Sequence, residues 1–355
     1  MIADIRMFSQ QLSCPVFEHP KDLVAWMGAI QAQDYPMSKW AVGTRLQTPT
    51  LQTVNAALQR GEILRTHVMR PTWHLVVAED IRWMLSLTAP RLTAAYNSYA
   101  KGRGLDITPQ LYEQNKSLII KILEGNKSLT RQEIETALIQ TGRIQADNEV
   151  DKMYVKYSIE RAEVEGVVCS GIDKGNKPTY ALLDERVPPV PELHKEEALA
   201  RLAERYFKSH SPASLNDFTW WSGLTISEAR QAIGLIEKEL ITDRFTDQKL
   251  YVHESLKETV TPQENALHLL PSFDEYLISY KDRTAVLQPE HHPKAFNNFG
   301  TFYPVILHKG KIVGNWNKVT RKGVLTVETS FFDPKTRINQ KLLEKAAKRY
   351  LHFMG

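Results

Sequence analysis

The residues whose types could do chemistry gather in one short segment, Gln31-Ala32-Gln33-Asp34-Tyr35-Pro36. It follows an apolar stripe, Leu23, Met27 and Ile30, that predicts a helix over 20–30. A continuing helix turns about 100° per residue and would throw Gln31 and Gln33 about 200° apart. Pro36 argues against that continuation: it pushes Tyr35 toward an extended conformation, so the helix should end near Gln33 and its last turn can unwind. Both amides could then point the same way, hydrogen-bond a water, and turn their carbonyl dipoles toward a developing positive charge. The plainer alternative is a helix C-terminus dressed with solvated polar groups. Asp34 is open to two readings, a general base or a group that caps or pairs with a basic neighbour.

Other familiar machinery is missing. His291 and His292 are adjacent and followed by a proline, and no His/Cys cluster has metal-ligand spacing. There is no phosphate-binding loop, no G-x-G-x-x-G and no G-x-S-x-G. The two cysteines, Cys14 and Cys169, lie far apart in the chain and outside any C-x-x-C pair, so they read as small buried hydrophobes in a reducing compartment. No metal and no cofactor are expected.

The elements that must position this segment are set by a chain of 355 residues, 42% hydrophobic and 24% charged, which excludes a disordered chain and predicts several packed modules. Its apolar runs are far too short to span a bilayer, and residues 1–13 lack a signal-peptide core, so a cytoplasmic protein without membrane partners is expected. The middle of the chain repeats one plan. A first helix near 110–123 is followed by a capping box at Thr130 and Glu133, a third helix over 151–165, and strands at 167–170 and 179–183 around a turn at 173–176. Three helices and a two-stranded wing describe a winged helix. After the proline-rich linker 187–191 the plan recurs, with Ser214/Asp217 and Thr225/Glu228 opening its second and third helices and a hairpin around Thr246 and Asp247. The first hundred residues fit the same plan through a helix over 50–60, a hairpin of 64–69 and 73–77 with Arg70 at its tip, and a long helix over 78–101. Beyond about Gln263, strands at 266–270, 303–307, 312–316 and 324–331, then a helix over 339–352, predict an antiparallel sheet or small barrel. The fold class is therefore mostly α with β, in four modules: 1–105, 106–190, 191–260 and 261–355.

Charge is mildly basic, 45 Lys and Arg against 41 Asp and Glu, so its distribution matters more than its sum. Residues 60–103 hold seven Lys/Arg against three acids, and residues 309–322 hold five and no acid. Polyanions are the partners such stretches favour. Arg65 and Arg70 of the first hairpin, Lys174 and Lys177 of the second wing, and Lys318, Arg321 and Lys322 of the C-terminal domain are candidate phosphate contacts. His74 alternates away from Trp73 and Leu75, so it either faces a nucleic-acid channel, as expected here, or pairs within the hairpin.

Four strings carry a family resemblance: Gly28-Ala29-Ile30-Gln31-Ala32-Gln33-Asp34-Tyr35-Pro36 with Trp40 and Arg45; Leu64-Arg65-Thr66-His67-Val68-Met69-Arg70-Pro71-Thr72-Trp73-His74-Leu75-Val76; Leu270-Pro271-Ser272-Phe273-Asp274-Glu275-Tyr276-Leu277 with Tyr280-Lys281-Asp282-Arg283; and Ile312-Val313-Gly314-Asn315-Trp316. From end to end the chain resembles the AlkZ-type winged-helix DNA glycosylases, whose founding member confers resistance to the crosslinking antibiotic azinomycin B. The resemblance implies tandem winged helices and a β domain around a DNA channel, with Gln31 and Gln33 as the catalytic glutamines and Arg45 among the DNA-binding residues. Asp274 falls in a family motif and is expected to support the site through Arg283 or Lys281. A related branch carries Asp where this chain has Gln33, and the common hairpin pattern has Gly and Leu where this chain has Pro71 and Trp73.

The expected activity is a monofunctional DNA glycosylase acting as a monomer, with no obligate protein partner, on double-stranded DNA carrying alkylated, including bulky or crosslinked, purines. A non-catalytic winged-helix DNA-binding protein or transcriptional regulator is the alternative, since fold does not fix function. A protein-interaction scaffold would show no salt-sensitive DNA affinity.

Overall fold

Helix starts in this chain are set by side chains that reach back three residues. Thr130, Ser214 and Thr225 each accept the backbone N–H of Glu133, Asp217 or Glu228, and those acids return the bond to the cap, closing three full capping boxes. The helices they open, Arg131–Gln140, Leu215–Ser222 and Ile226–Leu235, lie where the boxes predict. The computed structural model describes residues 1–243, 248–256 and 267–355 and divides into two units, Met1–Ala56 with Leu199–Gly355, and Ala57–Ala198.

The unit Ala57–Ala198 begins with a hairpin of Ile63–His67 and Trp73–Val77, followed by the helix Ala78–Gly102. Helices Pro109–Leu123, Arg131–Gln140 and Glu149–Val164 then lead into a short hairpin, Val168–Ser170 against Tyr180–Leu182. Ile119, Leu123, Ile134, Leu138, Val155, Ile159 and Val168 form one of its cores, so the apolar faces read from helical spacing do turn inward.

The other unit joins the N-terminal helices Ile2–Ser9, Pro20–Met27 and Tyr35–Gly43 to most of the helix Lys195–His210, its two capped successors, and a hairpin of Leu240–Asp243 with Leu250–His253. The turn expected at Thr246 and Asp247, and Ala266 at the start of a predicted strand, lie outside the described residues. A four-stranded antiparallel sheet follows in the order Val324–Phe331, Lys311–Arg321, Val305–His308, Leu267–Leu270. The second of these runs five residues past the predicted 312–316, because its backbone keeps pairing with Val324–Phe331 after its own side chains cease to be buried. Ala3 and Met7 of the first helix pack in the core of this sheet with Leu270, Tyr276 and Leu307. Gly310 permits the approach: it has φ +74°, and a Cβ there would lie 2.7 Å from that of Ala3.

The terminal helix Gln340–Met354 clamps the glutamine segment's helix. Trp40 packs against Tyr350 and Phe353, at 5.2 and 5.1 Å between ring centroids, and donates its indole N–H to the Leu269 carbonyl at 2.7 Å. Gly43 leaves room for this packing, since a Cβ would sit 2.5 Å from the Phe353 ring. Among the described residues no helix is long and apolar enough to cross a membrane, and no group of three His, Cys, Asp or Glu is placed to hold a metal ion.

Candidate active site

The helix expected over 20–30 stops earlier, at Met27, because Gly28 takes φ +74° and ends it. Ile30–Gln31 is extended, and Gln33 and Asp34 form a bend. Tyr35 is helical rather than extended: it and Pro36 occupy the first turn of Tyr35–Gly43, where a missing N–H costs nothing. Asp34 is the N-cap, its Oδ1 accepting the Met37 N–H at 3.2 Å and its Oδ2 the Ser272 hydroxyl at 2.7 Å. Both oxygens accept a bond, as the capping reading of Asp34 expects. The glutamines differ in access: Gln31 is 3% exposed, whereas Gln33 lies on the surface.

Gln31 is anchored by a residue that sequence reasoning missed. The Glu275 carboxylate, fully buried, accepts the Gln31 backbone N–H at 2.6 Å, the Trp221 indole N–H at 3.2 Å, and the Ser279 hydroxyl. His210 Nε2 stands 3.6 Å away. Burial pushes the Glu275 carboxyl up, but His210, Ser279 and the Gln31 amide outweigh it and hold it at about 2. Burial pushes the His210 imidazole below its ordinary range against the pull of Glu275. The hydrogen-bond chain assigns the tautomer: the Ser209 hydroxyl donates to the Arg205 carbonyl at 2.6 Å, so His210 Nδ1–H donates to Ser209 Oγ at 2.7 Å. Glu275 therefore carries the charge, because three N–H and O–H donors converge on it. The signal that could have found it is an acid set directly before the apolar run Tyr276-Leu277-Ile278, where solvent cannot satisfy it.

The expected DNA contact at Arg45 is corrected. Arg45 is 0% exposed and bidentate to Asp274, with NH2 2.8 Å from Oδ1 and NH1 2.9 Å from Oδ2, and its NH2 also reaches Gln10 Oε1 at 2.9 Å. It cannot meet a phosphate. Asp274 buttresses the site, through Arg45 rather than Arg283 or Lys281, and caps the short helix Glu275–Ile278 by accepting the Tyr276 N–H at 2.9 Å. This ion pair thus fixes the turn that presents Glu275.

Of the remaining cations, Arg65 is 9% exposed and lies over the Trp73 ring at 4.3 Å, while Arg70 is half-buried in the turn of its hairpin. His74 is also corrected: it is 0% exposed, with Nδ1 3.0 Å from the Thr72 carbonyl. Alternation selects no solvent face there, since the residues of both hairpin strands are buried almost throughout. Lys174, Lys177, Lys318, Arg321 and Lys322 are exposed; Lys174 pairs with Glu133 at 2.7 Å and Arg321 with Glu328.

The family model described as DNA glycosylase AlkZ-like matches residues 24–353. An interstrand DNA cross-link repair glycosylase of Streptomyces sahachiroi is 27% identical, over 96% of this chain and 92% of its own length. The solved structure of the S. sahachiroi DNA glycosylase AlkZ superposes with a TM-score of 0.79 at 25% identity, covering 99% of this chain and 95% of that one.

Proposed function

Because the chain belongs to the AlkZ-like DNA glycosylase family, we propose that it hydrolyses the N-glycosidic bond of purines alkylated at N7 or N3, bulky adducts and interstrand crosslinks included. The S. sahachiroi relative's role in cross-link repair supports the last of these. The observation that carries the reading is the pinning of the Gln31 backbone on the buried Glu275 carboxylate, which with the Asp34–Ser272 bond tethers the segment on both sides of Gln33.

Alkylation makes the base a cation, and the bond from C1′ then breaks with its electron pair leaving on the base, whose charge is neutralised. A water adds to C1′ and its proton passes to solvent, so the products are the free base and an abasic site. A leaving group this good needs little acid assistance. Neutral amides suffice: Gln33 at the surface orients the water, and the Gln31 and Gln33 carbonyl dipoles stabilise the oxocarbenium-like centre. The segment 31–36 contains no lysine, so no Schiff base forms and the enzyme is monofunctional.

The order helix, helix, helix, hairpin occurs twice, over Pro109–Leu123 to Tyr180–Leu182 and over Lys195–His210 to Leu250–His253, which supports tandem winged helices within the modules 106–190 and 191–260. We place the enzyme in the cytoplasm as a monomer on double-stranded DNA, with Lys174, Lys177, Lys318, Arg321 and Lys322 on phosphates and Arg65 and Arg70 lending positive field from the first hairpin. Mass spectrometry of bases released from methylated, bulky and crosslinked duplexes tests the reading. Wild type should release free base, and Gln31→Ala with Gln33→Ala should abolish release while DNA affinity stays near wild type. Binding without release on every alkylated substrate would refute it.

A further inference from the structure

The most exposed large hydrophobic residue described is Phe299, at 95%, above the terminal Met1 at 75% and Val324 at 62%. Single exposed apolar residues are ordinary on protein surfaces and usually sit on yielding loops. This one sits on a braced turn. Asn297 Oδ1 accepts the N–H of Phe299 at 2.9 Å and of Thr301 at 3.0 Å, and the Asn297 backbone exchanges bonds with Thr301 and Gly300 at 3.0 and 3.2 Å. Phe296 and Phe302 close the base of the loop as an antiparallel bridge, with rings stacked at 5.0 Å and Phe302 in the sheet's core. Gly300, at φ +81°, makes the tip and has open space where a side chain would be. The loop holds an aromatic ring out into solvent.

The register of the sheet shows what lies beside it. Val305, just past the loop, pairs with Asn315; the Asn315 side chain and the Trp316 N–H both donate to the Pro304 carbonyl, at 3.0 and 3.4 Å. From Asn317 onward that strand pairs only with Val324–Phe331, so the arm bearing Lys318, Arg321 and Lys322 springs from the loop's foot. Residues 291–327 contain six Lys/Arg and no Asp or Glu. Arg321 pairs with Glu328 across the arm, which leaves Lys318 and Lys322 beside it. A projecting ring beside a strip of net positive charge is complementary to a polyanion with an apolar interior, which is double-stranded DNA.

We propose that Phe299 is a wedge that enters the base stack of duplex DNA and holds a step open while the cations of the adjoining arm take the flanking phosphates. The partner rests on the glycosylase reading; the wedge itself does not. Apolar side chains inserted between base steps unstack them, and an enzyme acting on a base must loosen the stack around it.

The test uses the full chain and a duplex with 2-aminopurine beside a tetrahydrofuran abasic analogue. Wild type should raise 2-aminopurine fluorescence on binding. Phe299→Ala, harmless to a fold that does not touch the ring, should remove the rise and weaken affinity by about 5- to 150-fold, the worth of one base–aromatic stack. Its salt dependence should stay that of wild type, and Phe299→Trp should restore the rise. Absence of any rise with wild type, or a wild-type rise and affinity in Phe299→Ala, overturns the wedge and leaves the ring to a protein partner. If wild type releases no base yet the rise depends on Phe299, the wedge stands and the glycosylase reading falls.

Discussion

Replacing Glu275 with glutamine keeps the volume of the side chain and removes the charge on which three donors converge. Leaving those buried donors to face a neutral amide in place of a carboxylate costs about 1–3 kcal/mol. The folded pKa is depressed, so this stability is complete above pH 4.5 and is lost as pH falls through about 2. Glu275→Gln should therefore lower stability at pH 7 by about 1–3 kcal/mol, or Tm by about 1–4 °C for a chain of this length, and the gap to wild type should shrink between about pH 4.5 and pH 2. Calorimetry of both proteins across that range measures it. Activity adds a readout that packing alone would not move. Well below Tm, single-turnover base release should fall by about 10- to 100-fold, because a loosened Gln31 backbone misplaces the glutamine segment by a fraction of an ångström or more, while DNA affinity stays unchanged. Equal Tm and equal acid sensitivity would refute the charge argument. Lost stability with undiminished release would refute the anchoring argument.

Arg45→Met should destabilise the protein by about 3–5 kcal/mol, since it strands the buried Asp274 charge, and adding Asp274→Asn should recover much of that loss; urea unfolding measures both, and DNA affinity per folded molecule should not change. Lys318→Ala, Arg321→Ala and Lys322→Ala should each lower the slope of log affinity against log salt by about 0.9, the share of one neutralised phosphate, read by fluorescence anisotropy, and an unchanged slope would take that residue out of the interface.

What was legible in the sequence is what acts over short range. Thr130, Ser214 and Thr225 announce their helices because a cap and its reciprocal acid lie three residues apart. Gly28 could have been read as the stop of its helix, yet the apolar Ile30 beyond it extended the pattern falsely, and Pro36 drew attention to the wrong end of the segment. Alternation failed at His74 because it assumes one wet face of a hairpin, and here neither strand has one. Arg45 looked like a DNA contact because its carboxylate partner is 229 residues away, and no local pattern reports a pair of that kind.

The same distance rule explains why the glutamine pair stands out in the chain and the carboxylate beneath it does not. A pair of amides spaced two apart is visible in the chain, but the carboxylate that fixes one of them draws its donors from residues 31, 221 and 279. The burial of these charges bears on the chemistry. Glu275 takes three donors, Asp274 is bidentate to Arg45, and Asp34 caps its helix and accepts from Ser272, so the carboxylates nearest the segment all serve to hold it. Gln33 is left as the exposed polar side chain of the pair. Proton abstraction from an unactivated water calls for a base that water can reach; Glu275 and Asp274 are buried, and Asp34 is held by its cap and by Ser272. A cationic leaving group makes no such demand. Such a site should discriminate by the charge on the base before the shape of the adduct: a neutral purine should remain bonded to its sugar however well it binds, and a crosslinked N7-alkyl purine should be released if the pocket admits it.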